Sequence, residues 1–368
     1  MRMGLPVVLA LLVALAGASS CSAAHGAATP QGREATGAGR IMLDFYRTHS
    51  VWTDPGNQKG LFEGIRADTR SIVEAVQGVM IHGGLAWLYD LKPSPAQTGG
   101  EQIRKTEELL QRIAGLEGAP LAVRRPPEKR LLVNCREFAV LTCSIFRHKG
   151  IPARARAGYA VYTWGRGKYD NHWICEYWNQ KERRWVQVDA QIDDKQRDLT
   201  HVDFDTLDLP GGKFVTAGDG WQRYRRRELK PELFGVAGEG RWIAMGWPMV
   251  MPNVTCDVMA LNKMELLPWD VNPYWNKKEA EMSSADMAVI DWAAELSVAI
   301  DRKWIEMRQF FKAHPNLCVT KDVVEKDLGP HPERGDPTEK YGLPPSRVHK
   351  WASSLCVTSA FNLSRLAT

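Results

Sequence analysis

Between Asn134 and Asp189 the chain writes a capped helix and then an aromatic hairpin, a succession that restricts it to a fold in which a helix packs on antiparallel strands. Asn134 is a strong N-cap residue, and Glu137 follows at the spacing of a capping box. Phe138, Leu141, Ile145 and Phe146 keep helical spacing; His148 and Lys149 fill the last turn, Gly150 suits the left-handed position beyond it, and Pro152 blocks continuation. Cys135 therefore opens a helix with a buried face. Unpaired amides and the helix dipole favour a thiolate there, and Arg136 adds positive charge.

Two strands follow. His172 opens His172-Trp173-Ile174-Cys175-Glu176-Tyr177-Trp178, Asp189 closes Trp185-Val186-Gln187-Val188-Asp189, and the polar Asn179-Gln180-Lys181-Glu182 reads as the turn between them. A hairpin symmetric about the Gln180–Lys181 bond sets His172 directly opposite Asp189, with Cβ atoms about 5 Å apart. A thiol nucleophile needs a base, and the base needs an orienting acceptor, which makes Cys135, His172 and Asp189 the candidate catalytic residues. Taken singly, Cys135 reads as a core cysteine and His172 as a structural strand histidine. The helix-start position and the opposed aspartate reverse that reading.

The residues Asn134-Cys135-Arg136-Glu137-Phe138-Ala139, Gly150-Ile151-Pro152-Ala153-Arg154, Gly158-Tyr159, His172-Trp173 and Trp185-Val186-Gln187-Val188-Asp189 resemble the transglutaminase-like cysteine superfamily with its papain-like Cys-His-Asp arrangement. The motifs that carry this lie within about residues 130–195. A weaker resemblance to bacterial proteins with this domain runs from about Asp44 to Trp292, through Trp52-Thr53-Asp54-Pro55-Gly56, Val76-Gln77-Gly78, Phe204-Asp205, Leu209-Pro210 and Ala260 to Asp270. The resemblance implies an α+β fold: a nucleophile helix packed on a small antiparallel sheet, with helical regions before and after. It also implies cysteine-dependent acyl transfer on an amide, as peptidase, amidase or transamidase, on a peptide or protein substrate and with no cofactor. The superfamily often has a small residue two positions before the cysteine, where this chain has Val133. The oxyanion donors therefore stay open: the Cys135 amide is the default, and Asn134 and Trp164 are side-chain candidates.

The N-terminus reads as a targeting segment, with Arg2, an apolar run from Leu5 to Ala16 and a processing site at Ala18-Ser19-Ser20-Cys21. That site is similar to a bacterial lipobox, which makes Cys21 the candidate lipidated residue and the body a membrane-anchored lipoprotein. Ordinary cleavage near Ser22-Ala23-Ala24, with release to the periplasm or exterior, is the alternative. The expected organisation is a signal peptide over 1–21, a tether over 22–40, a helical region over 41–130, the catalytic core over 131–215, a helical region over 216–315 and a charged, Pro-rich tail over 316–368.

Of seven cysteines, lipidation of Cys21 and catalysis by Cys135 leave five, an odd number, with Cys318 and Cys356 a weak candidate pair. No metal is expected. Cys135 and Cys143 stand roughly 12 Å apart along one helix, too far to share a zinc ion. His172 and Cys175 point to opposite strand faces, so Cys143 and Cys175 read as small buried residues. The net charge of +5 and the run Arg223-Tyr224-Arg225-Arg226-Arg227 come with no nucleic-acid-binding motif, so the run reads as a solvated face or a contact with acidic groups. Helical patterns cover Ile41 to Tyr89, notably at Ile72, Val73, Val76, Val79 and Met80, then Glu101 to Ile113 and Asp286 to Phe311, the last with Trp292, Leu296, Ile300 and Trp304 as a core stripe. Ala153 to Tyr162 reads as a strand, Thr163 to Asn171 as a loop beside the site, and Phe204 to Phe214 as an ordered loop. Two rival readings remain: a non-catalytic peptide-binding or scaffolding lipoprotein on the same fold, and an intracellular amide-forming enzyme.

Overall fold

The computed structural model describes residues 37–163, 167–238, 241–270, 274 and 277–317. Its elements in order are α1 (Gly37–Arg47), α2 (Thr69–Val79), β1 (Met80–His82), α3 (Thr106–Leu116), β2 (Leu131–Val133), α4 (Cys135–His148), β3 (Ala153–Ala160), β4 (Tyr169–Asn179), β5 (Arg184–Val188), α5 (Asp194–Thr200), β6 (Phe214–Thr216), α6 (Ala217–Arg225), β7 (Phe234–Gly238), β8 (Arg241–Met245), α7 (Met251–Leu261), α8 (Ser284–Val298) and α9 (Ile300–Ala313), with short 3-10 turns between them. The architecture is α+β, a helix packed on a small, mostly antiparallel sheet with further helices before and after it.

The organising strand is β4. It pairs antiparallel with β3 and β5, and at its N-terminal end parallel with β7, which carries β8; β6 lies on the far side of β3. Alternation sends Trp173, Cys175 and Tyr177 to one face of β4 and His172, Ile174 and Glu176 to the other. The first set meets α4: Phe146 stacks on Tyr177 at 4.7 Å between ring centroids, and the Cys143 and Cys175 sulfurs are 3.2 Å apart. A small parallel pair, β1 with β2, leads directly into α4 and places His82 beside Val133.

Helix α4 begins and ends as its sequence demands. The Glu137 carboxylate accepts the Asn134 amide at 2.9 Å, and Gly150 takes φ 74° after the last turn. Phe138, Leu141, Ile145 and Phe146 are all in the core.

Several elements depart from expectation. The helix expected from Glu101 starts at Thr106, because buried Arg136 takes the Ile103 and Arg104 carbonyls with its guanidinium at 2.9 and 2.7 Å, and 3-10 backbone covers 100–102. The long C-terminal helix is two, divided at Ala299, so the stripe is broken: Leu296 and Ile300 are buried, while Trp292 is 41% exposed. Helix α1 starts at Gly37, inside the segment read as tether, and β7 and β8 lie in a region read as helical. Arg225 pairs with Asp291 at 2.9 Å and Arg226 with Glu228 at 2.6 Å, so the basic run does meet acidic groups. Cys21, Trp164, Cys318, Cys356 and the expected tail beyond Leu317 lie outside the described residues.

Candidate active site

Cys135 is the first residue of α4, half-buried, with a free thiol. At this position the amide has no carbonyl a turn earlier to bind, so the end of the helix presents N–H groups and partial positive charge beside the sulfur. Arg136 does not contribute there. Its guanidinium turns into the core, onto Glu137 at 3.1 Å and the Ile103, Arg104 and Glu265 carbonyls.

His172 lies inside β4 rather than at its start, because Tyr169 to Asn171 already pair with β3 and β7. Its cross-strand partner on β3 is Gly158. A side chain at 158 would drive its Cβ into the Val215 carbonyl and the Phe214 ring, so β6 lies close across that position only because it is glycine.

The hairpin register differs from the symmetric expectation. Trp178 faces Trp185 and Cys175 faces Val188, a shift of two residues, and the ladder ends at Val188. The loop is Gln180 to Arg183, with Arg183 at φ 53° and its amide on the Asn179 carbonyl at 2.7 Å. A shift of two preserves the side-chain face. Asp189, just past the strand, becomes the diagonal neighbour of His172 instead of its direct opposite. Its amide leaves the ladder for the Thr206 carbonyl at 2.9 Å, and its carboxylate still reaches the imidazole, with Oδ2 2.8 Å from His172 Nε2.

The pair is buried, His172 at 3% and Asp189 at 1% exposure. Burial by itself would push the Asp189 carboxyl up; the imidazolium charge and hydrogen bond of His172, the Tyr162 hydroxyl at 2.6 Å and the Gln191 amide at 2.9 Å outweigh it and hold the group below its ordinary value. Burial would likewise lower His172, but the Asp189 charge and hydrogen bond, with Cys135 adding both as a hydrogen-bonding neighbour, raise it well above the usual histidine value. With Nε2 turned to the carboxylate, Nδ1 is the nitrogen available to exchange a proton with Cys135.

Two further residues belong to this site and carry no motif. Tyr162 donates to Asp189 Oδ2 and sets its ring edge-on to His172, centroids 6.4 Å apart. Continued alternation from Gly158 through Ala160 was the signal that could have placed it on the histidine face. His82 is half-buried, its Nδ1 covered and without a hydrogen-bond partner; burial first, then the charge of His172, push it down to about 4, so it stays neutral near pH 7. Only the β1–β2 pairing brings it here. The loop after Asp189 is tied to the same N-terminal region: Gln77 donates to the Ile192 carbonyl at 3.2 Å and Tyr89 to Asp193 at 2.6 Å. Of the oxyanion candidates, Asn134 stands at the start of α4 as the cap residue, and Trp164 is outside the described residues.

Residues 128–190 match the model of the transglutaminase-like superfamily core. That stretch, which runs from just before β2 to just past β5, is therefore similar to the transglutaminase-like core. No curated protein matches it. Among solved structures, one from Cytophaga hutchinsonii, designated a "Putative Cysteine Protease", aligns at 17% identity over 47% of this chain and 45% of its own length, with a TM-score of 0.27. This chain thus spans less than half of that protein, and so loose a superposition carries no argument about the site.

Proposed function

We propose that the protein is a cysteine-dependent acyl-transfer enzyme acting on an amide bond, with Cys135 as nucleophile, His172 as acid and base, and Asp189 as the group that orients the imidazole. The observation that carries this is the 2.8 Å contact of His172 Nε2 with a buried aspartate, beside a thiol at a helix start. A buried neutral network would have no need of an ionised carboxylate, whereas an imidazole that must accept a thiol proton does.

In this mechanism the Cys135 thiol gives its proton to His172 Nδ1, and the thiolate adds to the amide carbonyl. The oxyanion meets the unpaired N–H groups at the start of α4, that of Cys135 foremost. His172 then protonates the leaving amine, the C–N bond breaks, and a thioester remains on Cys135. Water or a second amine, deprotonated by His172, attacks the thioester and restores the thiol. Water makes the enzyme a peptidase or amidase; an amine makes it a transamidase. Peptides or proteins outside the cytoplasm fit the targeting segment read at the N-terminus, with Cys21 as the lipid attachment point.

The test is acylation of Cys135 by an activated ester, followed by intact mass spectrometry. Wild type should gain one acyl group on Cys135, quickest near neutral pH. Cys135→Ala should gain none and keep its melting temperature, since the side chain is half-buried. Equal acylation of the variant would exclude Cys135 as the nucleophile.

A further inference from the structure

Nucleophile helix and histidine strand touch through a pair of thiols that the mechanism does not use. Cys143 stands in the interior of α4, and Cys175 sits three residues beyond His172 on β4. Both are fully buried and free, and their sulfurs are 3.2 Å apart. A disulfide holds its sulfurs at about 2.05 Å, so roughly 1 Å separates the contact from a bond.

We propose that Cys143 and Cys175 are a disulfide site, closed when the chain folds in an oxidising environment, and that the bridge fixes the element carrying the nucleophile to the strand carrying the base. Among the described cysteines, Cys143 and Cys175 have their sulfurs in contact. Cys135 is separated from Cys143 by about 12 Å of helix rise, beyond the reach of a disulfide. Cys256, on α7, has the Pro268 carbonyl 3.8 Å from its sulfur. The bridge would close a loop over a sequence separation of 32 residues, which removes conformations from the unfolded chain.

The chemistry balances as two exchanges with a small or protein disulfide. One cysteine thiolate attacks the oxidant's disulfide and releases one thiol; the partner thiolate then attacks the mixed disulfide and releases the second. The two cysteines lose two hydrogens and two electrons, and the oxidant becomes two thiols. Thiolate is the attacking form. Burial and the neighbouring Cys143 hold the Cys175 thiol well above its ordinary value, so closure belongs to folding, when both sulfurs are still wet, and the folded pair resists exchange in either redox state.

The experiment refolds the full-length chain from denaturant, once in a mixture of reduced and oxidised glutathione and once in dithiothreitol. Remaining thiols are alkylated in denaturant and the peptides mapped by mass spectrometry. The glutathione sample should yield Cys143 and Cys175 as one linked peptide pair, about 2 Da lighter than the reduced pair, with Cys135 alkylated. It should also melt at a higher temperature than the reduced sample, a difference absent in Cys143→Ala and Cys175→Ala. Recovery of both residues as free thiols at every glutathione ratio, or linkage of either one to any other cysteine, overturns the proposal. The mapping is done on wild type and needs no turnover, so its outcome is independent of whether Cys135 is a catalytic nucleophile.

Discussion

The two ends of β4 bury charge on the same face in opposite ways. Toward the C-terminal end, Glu176 accepts from Arg154 at 2.7 Å, Arg156 at 3.2 Å and Gln187 at 3.0 Å, while Arg156 makes a two-pronged pair with Asp257 at 2.9 Å for each bond. Burial would raise Glu176, but the two arginines and Gln187 bring it down to about 2. Four residues earlier, His172 has one aspartate for its Nε2 and a thiol neighbour for its other side. The first cluster is saturated: every charge has fixed partners, and no proton can move without leaving a buried ion uncompensated. The second holds an ionised acid beside a base and a weak acid, between which one proton can be placed in two ways. Burial with perturbed titration is common to both; an exchangeable proton next to a thiol belongs to only one.

Variants at each end should separate stability from chemistry. The largest effect is expected from Asp189→Asn, which keeps the shape but removes the charge that orients His172. Acylation of Cys135 should slow by about 10³-fold or more. The sign of the pH dependence is set by the two shifts. His172 is raised, so its contribution to stability is complete below about pH 6.5 and is lost as pH rises through its folded value. Asp189 is lowered, so its contribution is complete above about pH 3.9 and is lost on acidification. Urea titrations across pH should show both losses in wild type and neither in Asp189→Asn; an unchanged profile would refute the pairing.

Glu176→Gln should do the reverse. Two buried guanidinium groups lose their shared anion, which should cost about 3–5 kcal/mol of folding stability. Cys135 acylation, measured where the variant is still folded, should stay within about twofold, because distant, independent sites add. A large loss of rate in a folded Glu176→Gln protein would mean that the two ends are coupled, and the contrast drawn above would fail.

Tyr162→Phe removes a hydrogen bond to a charged acceptor, worth about 1.5–3 kcal/mol. The aspartate keeps His172 and the Gln191 amide. A roughly tenfold slower acylation with an intact fold is expected, read from stopped-flow rates and melting curves together. The smallest effect falls to His82. Its value near 4 means that the unfolded chain takes up a proton there before the folded one does, so wild type should lose stability as pH falls from about 6.5 toward 4. His82→Phe should flatten that slope by roughly 1–3 kcal/mol, and an identical slope in both proteins would show that His82 is not held neutral.

What could be read from residues alone was local. Asn134, Glu137, Gly150 and Pro152 announce the helix that Cys135 opens, and the alternation around His172 announces its strand, because caps and periodicity depend on nearest neighbours. The hairpin was legible in kind but not in register. A four-residue loop with Arg183 in the left-handed region moved the pairing by two, and only because the shift was even did Asp189 stay on the histidine face. Strands β7 and β8 went unread; they are five residues each, and β7 joins the sheet by pairing parallel with Tyr169 and Asp170, more than sixty positions earlier. The start of α3 was misplaced because Arg136, far along the chain, claims the carbonyls that an earlier helical turn would have used.

The sequence by itself determined which residues can do chemistry, since a thiol, an imidazole and a carboxylate are properties of side chains, and it determined that Cys135 begins a helix. Tertiary structure decided how they meet: Asp189 reaches His172 diagonally after leaving its strand, Tyr162 from just past β3 and His82 from β1 complete the surroundings, and Cys143 comes to Cys175 across the helix–sheet interface. Those contacts depend on strand register and packing, which are set by long-range burial and leave no mark on the residues themselves.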